Sequence, residues 1–300
     1  MAWLGHPFPH DAVAICRRVA QRQREAGLTP SLLLFYSGGK DALGCLEAAR
    51  QADCFERIEG VYMYLVKGLE VVEAHLYNVA RRYRMRVHAM PHFHLAYLIK
   101  NHQWSPAWSE KTLALRIPTF RDMEARAKKL STAPLVPGGD PQLPINWTAW
   151  GWRATDGPHR RGLLMQYAKD YESGIFAQAR APRTFPIWQW NDRQTYAFLR
   201  ANKVPLPHRL GTFRTSGVGI RPDVLLQIRA EFPMDYARIL EVFPYAEALV
   251  HRETIRRSKG DAAARSLVAP GGDGSGGSDA GIGDEREAAP GAEVPLDPRS

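Results

Sequence analysis

The stretch SLLLFYSGGKDALGCLEAAR, Ser31 to Arg50, constrains the fold more than any other part of the chain. Leu32 to Tyr36 is a continuous apolar run, the pattern of a strand buried on both faces, and such strands belong to parallel sheets covered by helices. The run stops at Ser37-Gly38-Gly39-Lys40-Asp41, and the spacing of Leu43, Leu46 and Ala49 then predicts a helix to about Ala52. Glycines at such a junction allow positive φ and close backbone approach. The first-turn amides of the helix point outward without intrahelical partners, and the dipole favours an anion there. Lys40 adds a cation, Ser37 a hydroxyl, and Asp41 a ligand for the Mg2+ that accompanies triphosphates. In an open parallel sheet, ligands bind at the carboxyl ends of the strands, where this loop falls. Ser37, Gly38, Gly39, Lys40 and Asp41 therefore read as a phosphate-holding loop. It is not a Walker A loop, which needs Gly at Leu34 and Ser or Thr at Asp41.

The rest of the chain alternates in the same way. A helix is predicted from about Pro9 to Ala26, stopped by Gly27 and Pro30. Strand-like RIEGVYMYLV, helical LEVVEAHLYNVARRYRM, strand-like RVHAM and helical FHLAYLIKNH follow the loop, an α/β succession. PTFRDMEARAKKL reads as a helix with Pro118 near its first turn, the proline-rich STAPLVPGGDPQLP as a loop, and INWTAWG as a strand. Asn191 with Gln194 three residues on forms a capping-box signature for a helix. The organisation expected is an N-terminal helix over 1–29, an α/β domain over 30–220, a helical extension over 221–259 and a disordered acidic tail over 260–300, where Gly, Ser, Asp and Pro leave little to bury.

Composition narrows the class of partner. Residues 261–300 carry 3 Lys/Arg and 8 Asp/Glu, a balance of −5, so residues 1–260 carry +14 against the chain's total of +9. A body that basic suits a polyanion, a nucleotide or a nucleic acid. Three cysteines without CxxC spacing fit a reducing, cytoplasmic setting. The apolar runs are too short for a membrane span, and MAWLGHPFPHD lacks the form of a secretory signal.

Tyr36 to Asp41 resembles the PP-loop, SGGxDS, of the ATP pyrophosphatases and the phosphoadenosine phosphosulfate (PAPS) reductase-like family. GWRATDGPHRR, Gly151 to Arg161, resembles that family's second motif, and FPIWQWNDRQTYAFLRANKVPLP and RLGTFRTSGVG its later segments, in the same order over about residues 30–220. The resemblance implies an adenine nucleotide α-hydrolase-like (Rossmann-like) parallel sheet. It also implies an enzyme that binds ATP with Mg2+, cleaves it between the α- and β-phosphates and adenylates an acceptor: a nucleic acid, a nucleotide or a group on a partner protein. Under it, Lys40 and the loop grip the leaving pyrophosphate, Asp41 orients the metal and Arg153 reaches the α-phosphate. Gly151 belongs to the nucleotide site, Asp156 holds Arg153 or a ribose hydroxyl, and Arg160 and Arg161 contact phosphate or acceptor. Strand GVYMYLV supplies an apolar wall or backbone contacts for adenine. Two departures stand out: Ala42 replaces the final Ser of the loop, and no cysteine follows Cys54. PAPS reduction, one alternative, would need a thiol from Cys45, Cys54 or a partner, and three scattered cysteines cannot hold an iron–sulfur cluster. The other is a non-catalytic nucleotide-binding module, with Ala42 marking the lost function.

Other residues admit two readings. His88, His92 and His94 are a metal cluster or cleft-side histidines; Trp147, Trp150, Trp152, Trp188 and Trp190 stack on bases or fill the core. RRYRMR (81–86) is a solvated helix end or a phosphate-backbone contact, and Arg214 is placed near substrate by position alone.

Overall fold

Leu32 to Phe35 are all buried, and β1 (Ser31–Phe35), which they form, lies inside a six-stranded sheet. The structure, a computed structural model, describes residues 12–106, 110, 114–170, 174–177, 182–208 and 220–268. β1 pairs in parallel with β2 (Arg57–Tyr64) on one side and β4 (Thr148–Trp150) on the other. β2 pairs in parallel with β3 (Arg86–Pro91), and β4 with β6 (Arg183–Thr184). β5 (Ile175–Phe176) closes that edge antiparallel, giving the order β3-β2-β1-β4-β6-β5. The fold is α/β and Rossmann-like, as the sequence predicted.

Helices α1 (Ala12–Glu25) and α2 (Lys40–Ala52) pack together, and α3 (Glu70–Tyr83) returns the chain from β2 to β3. α4 (Phe93–Lys100) follows β3, and α5 (Phe120–Ser131) packs on β1 and β3. α6 (Pro158–Asp170) and α7 (Asp192–Ala201) lie beyond β4 in sequence, and α7 packs on α2. The extension forms α8 (Pro222–Glu231), α9 (Pro233–Val242) and α10 (Ala246–Val268). Its apolar faces join a second core in which Val224, Ile228, Ile239 and Phe243 meet Val66, Leu69, Val72 and Leu98. By contacts the chain divides into two units, Met1–Arg256 and Arg257–Ser300.

Several boundaries differ from the sequence reading. α5 starts after Thr119, whose side chain accepts from Asp122 N in a reciprocal capping box, leaving Pro118 outside the helix. The strand expected over INWTAWG shrinks to Thr148–Trp150, because its neighbours offer only Leu33–Phe35 and the two residues of β6 to pair with. β5 and β6, at two residues each, carry no readable periodicity. α10 runs past Gly260 to Val268, helped by the alanines at 262–264. The N-terminal residues 1–11, the RLGTFRTSGVG segment with Arg214, and the tail beyond Val268 lie outside the described residues.

A buried carboxylate fastens the sheet to the loop after α5. Glu59 of β2, 2% exposed, faces Arg57, Arg86 and His88 at 2.8, 2.8 and 2.6 Å. The two arginines also donate to the carbonyls of Ser131, Ala133, Pro134 and Leu143. Burial alone would raise the Glu59 carboxyl, but the hydrogen bonds from His88 and Arg57 prevail and lower it. A carboxyl lowered in the folded state stabilises fully above its unfolded pKa, and that contribution is lost as pH falls through the folded value. Glu59→Gln is expected to cost about 2–3 kcal/mol in urea unfolding at neutral pH, by leaving arginines without a counter-charge. It should also flatten the acid limb of the stability profile; an unchanged midpoint and limb would refute the clasp.

Candidate functional site

β1 leads to β2 on one side, whereas β4 lies on the other, so the strand order reverses between β1 and β4. Such a switch point leaves a crevice at the carboxyl ends of the strands. Phe35 and Trp150 are register partners, so the chain leaves the two strands side by side as Tyr36-Ser37-Gly38-Gly39 and Gly151-Trp152-Arg153. The two motifs identified in the sequence therefore face each other across this crevice.

Gly38 takes φ +80°, a conformation for which glycine is suited. Gly39 holds the N-cap of α2, and no side chain caps the first-turn amides. Ser37 Oγ accepts from Gly39 N at 3.3 Å. The neighbouring N-terminus of α3 is different: the buried Asp235 carboxylate of α9 accepts from Glu70 N and Val71 N at 2.8 and 2.9 Å. Of these two helix starts beside the crevice, α3 already carries an anion and α2 does not.

Gly151 is needed for packing. A Cβ there would stand 2.9 Å from both Ala42 N and the Asp41 carbonyl carbon, so the start of α2 and the end of β4 touch through backbone. Ala42, where the family loop has Ser, is buried.

The charged side chains form one network. Arg153, 5% exposed, donates through Nε and Nη2 to Asp156 Oδ1 at 3.0 and 2.7 Å, and its amide donates to Asp156 Oδ2 at 3.0 Å. Its Nη1 donates to Asp192 Oδ1 at 2.6 Å. Lys40 Nζ lies 3.0 Å from Asp41 Oδ2 and 3.1 Å from the same Asp192 oxygen. Arg160 Nη1 joins through Asp156 Oδ2 at 3.0 Å, and its guanidinium lies over the Trp152 ring. Arg161, in the same turn of α6, instead donates to the Ala154 carbonyl at 3.3 Å. Arg153 Nε comes within 3.2 Å of Asp41 Oδ1 without hydrogen-bond alignment, and that buried oxygen has no hydrogen-bond partner. Burial raises the Asp41 carboxyl despite Arg153 and Lys40. Burial opposes the Arg153 charge, yet Asp41, Asp156 and Asp192 together raise its pKa. Burial would likewise raise Asp192, but Arg153 and Lys40 lower it.

Lys40, Asp41, Gly151, Arg153, Asp156 and Arg160 thus come together at the crevice, while Arg161 turns aside. Asp192 was missed. Following Asn191, it reads as an acid that suits the first turn of a helix. Only the packing of α7 on α2 brings it to the loop.

The other candidates separate. His88 pairs with Glu59, His92 Nδ1 caps α4 by accepting from His94 N, and His94 stacks on Tyr97. Among the described residues no three His, Cys, Asp or Glu converge as a metal site. Trp147, Trp150, Trp188 and Trp190 are core residues, and Trp150 stacks on Phe35 at 3.7 Å. Arg82 donates to the Asn202 carbonyl and Arg86 to Glu59, so the RRYRMR run is partly structural. Cys45 is buried, its Sγ directed at the Trp150 carbonyl oxygen at 3.6 Å; burial pushes this thiol well up and keeps it protonated. A cavity of about 510 Å³ runs along α3, lined by His75, Arg82, Leu206 and Phe232 among others, and shares no residue with the network. No helix among the described residues is long and apolar enough to cross a membrane.

No protein-family model and no curated protein matches the chain. Solved structures similar to it include a PAPS reductase from Candida auris in a phosphate complex, at 14% identity over 64% of this chain and 81% of that one, with a TM-score of 0.38. An FMN adenylyltransferase from Candida glabrata with FMN and an ATP analogue matches at 14% identity over 65% of this chain, TM-score 0.40, but over only 57% of its own length. A U34-tRNA thiolase from Methanococcus maripaludis with a 4Fe–4S cluster matches at 12% identity over 80% of this chain and 79% of that one, TM-score 0.35. Likeness this distant transfers no residue role, and the chemistry of the site rests on its own geometry.

Gly151→Ala is expected to force the end of β4 away from α2, lowering stability by about 1–3 kcal/mol. Unchanged thermal unfolding would show that the two loops do not meet through backbone.

Proposed function

We propose that the chain is an adenine-nucleotide-binding enzyme that cleaves ATP between the α- and β-phosphates and passes AMP to an acceptor. The observation that carries this reading is the meeting, at a topological switch point, of an α2 N-terminus without a side-chain cap and two nearly buried cations, Lys40 and Arg153. Helix-start amides and a lysine suit the two phosphates that leave as pyrophosphate, whose charge grows as the bond breaks. Ser37, Gly38, Gly39 and Lys40 hold that group. Arg153, fixed in orientation by Asp156, faces the α-phosphate, where a planar cation stabilises charge in transfer. Gly151 lets this arm approach the loop. Arg160, on the first turn of α6 and tied to Asp156, contacts phosphate or acceptor; Arg161, bonded to the Ala154 carbonyl, would have to leave it to do the same.

Asp41 fits a magnesium ion carried by the nucleotide: its Oδ1 is buried without a hydrogen-bond partner, and a carboxylate is a suitable hard ligand. The ion supplies charge neutralisation at the departing phosphates. The charge of +14 on residues 1–260 favours a polyanionic acceptor, nucleic acid over a small neutral molecule.

Incubation with Mg2+ and α-labelled ATP, with and without bulk RNA, is expected to yield AMP or an AMP-labelled adduct; intact ATP in both would count against the reaction. Lys40→Ala is expected to weaken ATP binding about tenfold to a hundredfold, the loss of a charge-assisted contact, read by equilibrium dialysis. Unchanged affinity would sink the loop assignment. Arg153→Ala is expected to lower kcat more than it weakens ATP binding.

A further inference from the structure

Asp192 differs from its partners in exposure. Its side chain is 63% exposed, whereas those of Lys40 and Arg153 are 10% and 7% exposed. One oxygen, Oδ1, bridges both cations, at 3.1 Å from Lys40 Nζ and 2.6 Å from Arg153 Nη1. The other bonds of the two cations stay within the network: Asp156 takes Arg153 Nε and Nη2, and Asp41 takes Lys40. A single anionic oxygen held by a lysine and an arginine beside an N-terminus without a side-chain cap is the coordination a phosphate oxygen would have. The network also carries three carboxylates, Asp41, Asp156 and Asp192, against Lys40, Arg153 and Arg160, so it presents no surplus positive charge to a polyanion.

We propose that Asp192 is a built-in competitor for phosphate: in the free protein its carboxylate occupies the place of a phosphate oxygen, and an incoming pyrophosphate group displaces it. This rests on the reading of the Ser37–Asp41 loop as a phosphate site. Asp192 is the first residue of α7, and its neighbour Asn191 caps that helix by accepting from Gln194 N. Rotation about the Asp192 side chain therefore frees the cations without unwinding the helix. The released carboxylate stays at a helix start, where the dipole still favours it. Because the site must exchange one anion for another, its apparent affinity is reduced by the fraction of molecules in which Asp192 is bound.

The test is calorimetric titration of inorganic pyrophosphate, without Mg2+, into the full chain and its Asp192→Asn, Asp192→Ser and Lys40→Ala variants, with folding checked by circular dichroism. Asp192→Asn and Asp192→Ser are expected to bind pyrophosphate about five- to tenfold more tightly than the parent chain, the worth of two partly exposed charge pairs. Lys40→Ala is expected to bind it more weakly. If Lys40→Ala binds as the parent does, the phosphate site itself is wrong. If Lys40→Ala loses affinity while both Asp192 variants bind equally or less tightly, the site stands and the competitor is overturned. Failure of both Asp192 variants to fold would also overturn it, since a displaceable group cannot be indispensable to the fold.

Discussion

The parallel pairing of β1 with β4, closed by the backbone contact of Gly151 with Asp41 and Ala42, is the constraint on which the site depends. It joins two loops from opposite sides of the strand-order reversal, more than a hundred positions apart in sequence. Neither loop alone holds much charge in place. Together they fix Arg153 against Asp156 and bring Lys40 to the Asp192 oxygen that Arg153 also holds. Any side chain at position 151 would separate the halves before it touched a ligand.

Burial then sets the electrostatics. Arg153 and Lys40 are shielded from water, so their charges are felt by whatever anion reaches the crevice, and desolvation is offset by three aspartates. The open start of α2 contrasts with the occupied start of α3, where Asp235 already answers the dipole. Two similar elements side by side thus have different chemistry, and the difference comes from a helix far along the chain.

How much of this was legible in the sequence follows from how local each feature is. The buried run from Leu32, the glycine turn and the start of α2 are encoded in adjacent residues, and they appear where expected. The charged motif after β4 was legible through resemblance, and the structure joins it to the first loop. Asp192 was invisible because its role depends on the packing of α7 on α2. The Glu59 clasp was hidden for a related reason: Arg57 shares its strand, but Arg86 and His88 belong to the next, and only register places them alongside. The tryptophans near the arginines were ambiguous because large aromatics serve cores and ligands alike; here the core takes four of the five.

The cap on α3 has a consequence for how the molecule is made. The bonds from Glu70 N and Val71 N to Asp235 span 165 and 164 positions. A ribosome would therefore release β1, β2, β3 and the loop well before the residue that completes the start of α3 exists. Contacts of such separation slow folding and leave intermediates with unfinished cores. The α/β half of this chain is thus expected to emerge early yet mature late, when its C-terminal helices arrive to close the second core.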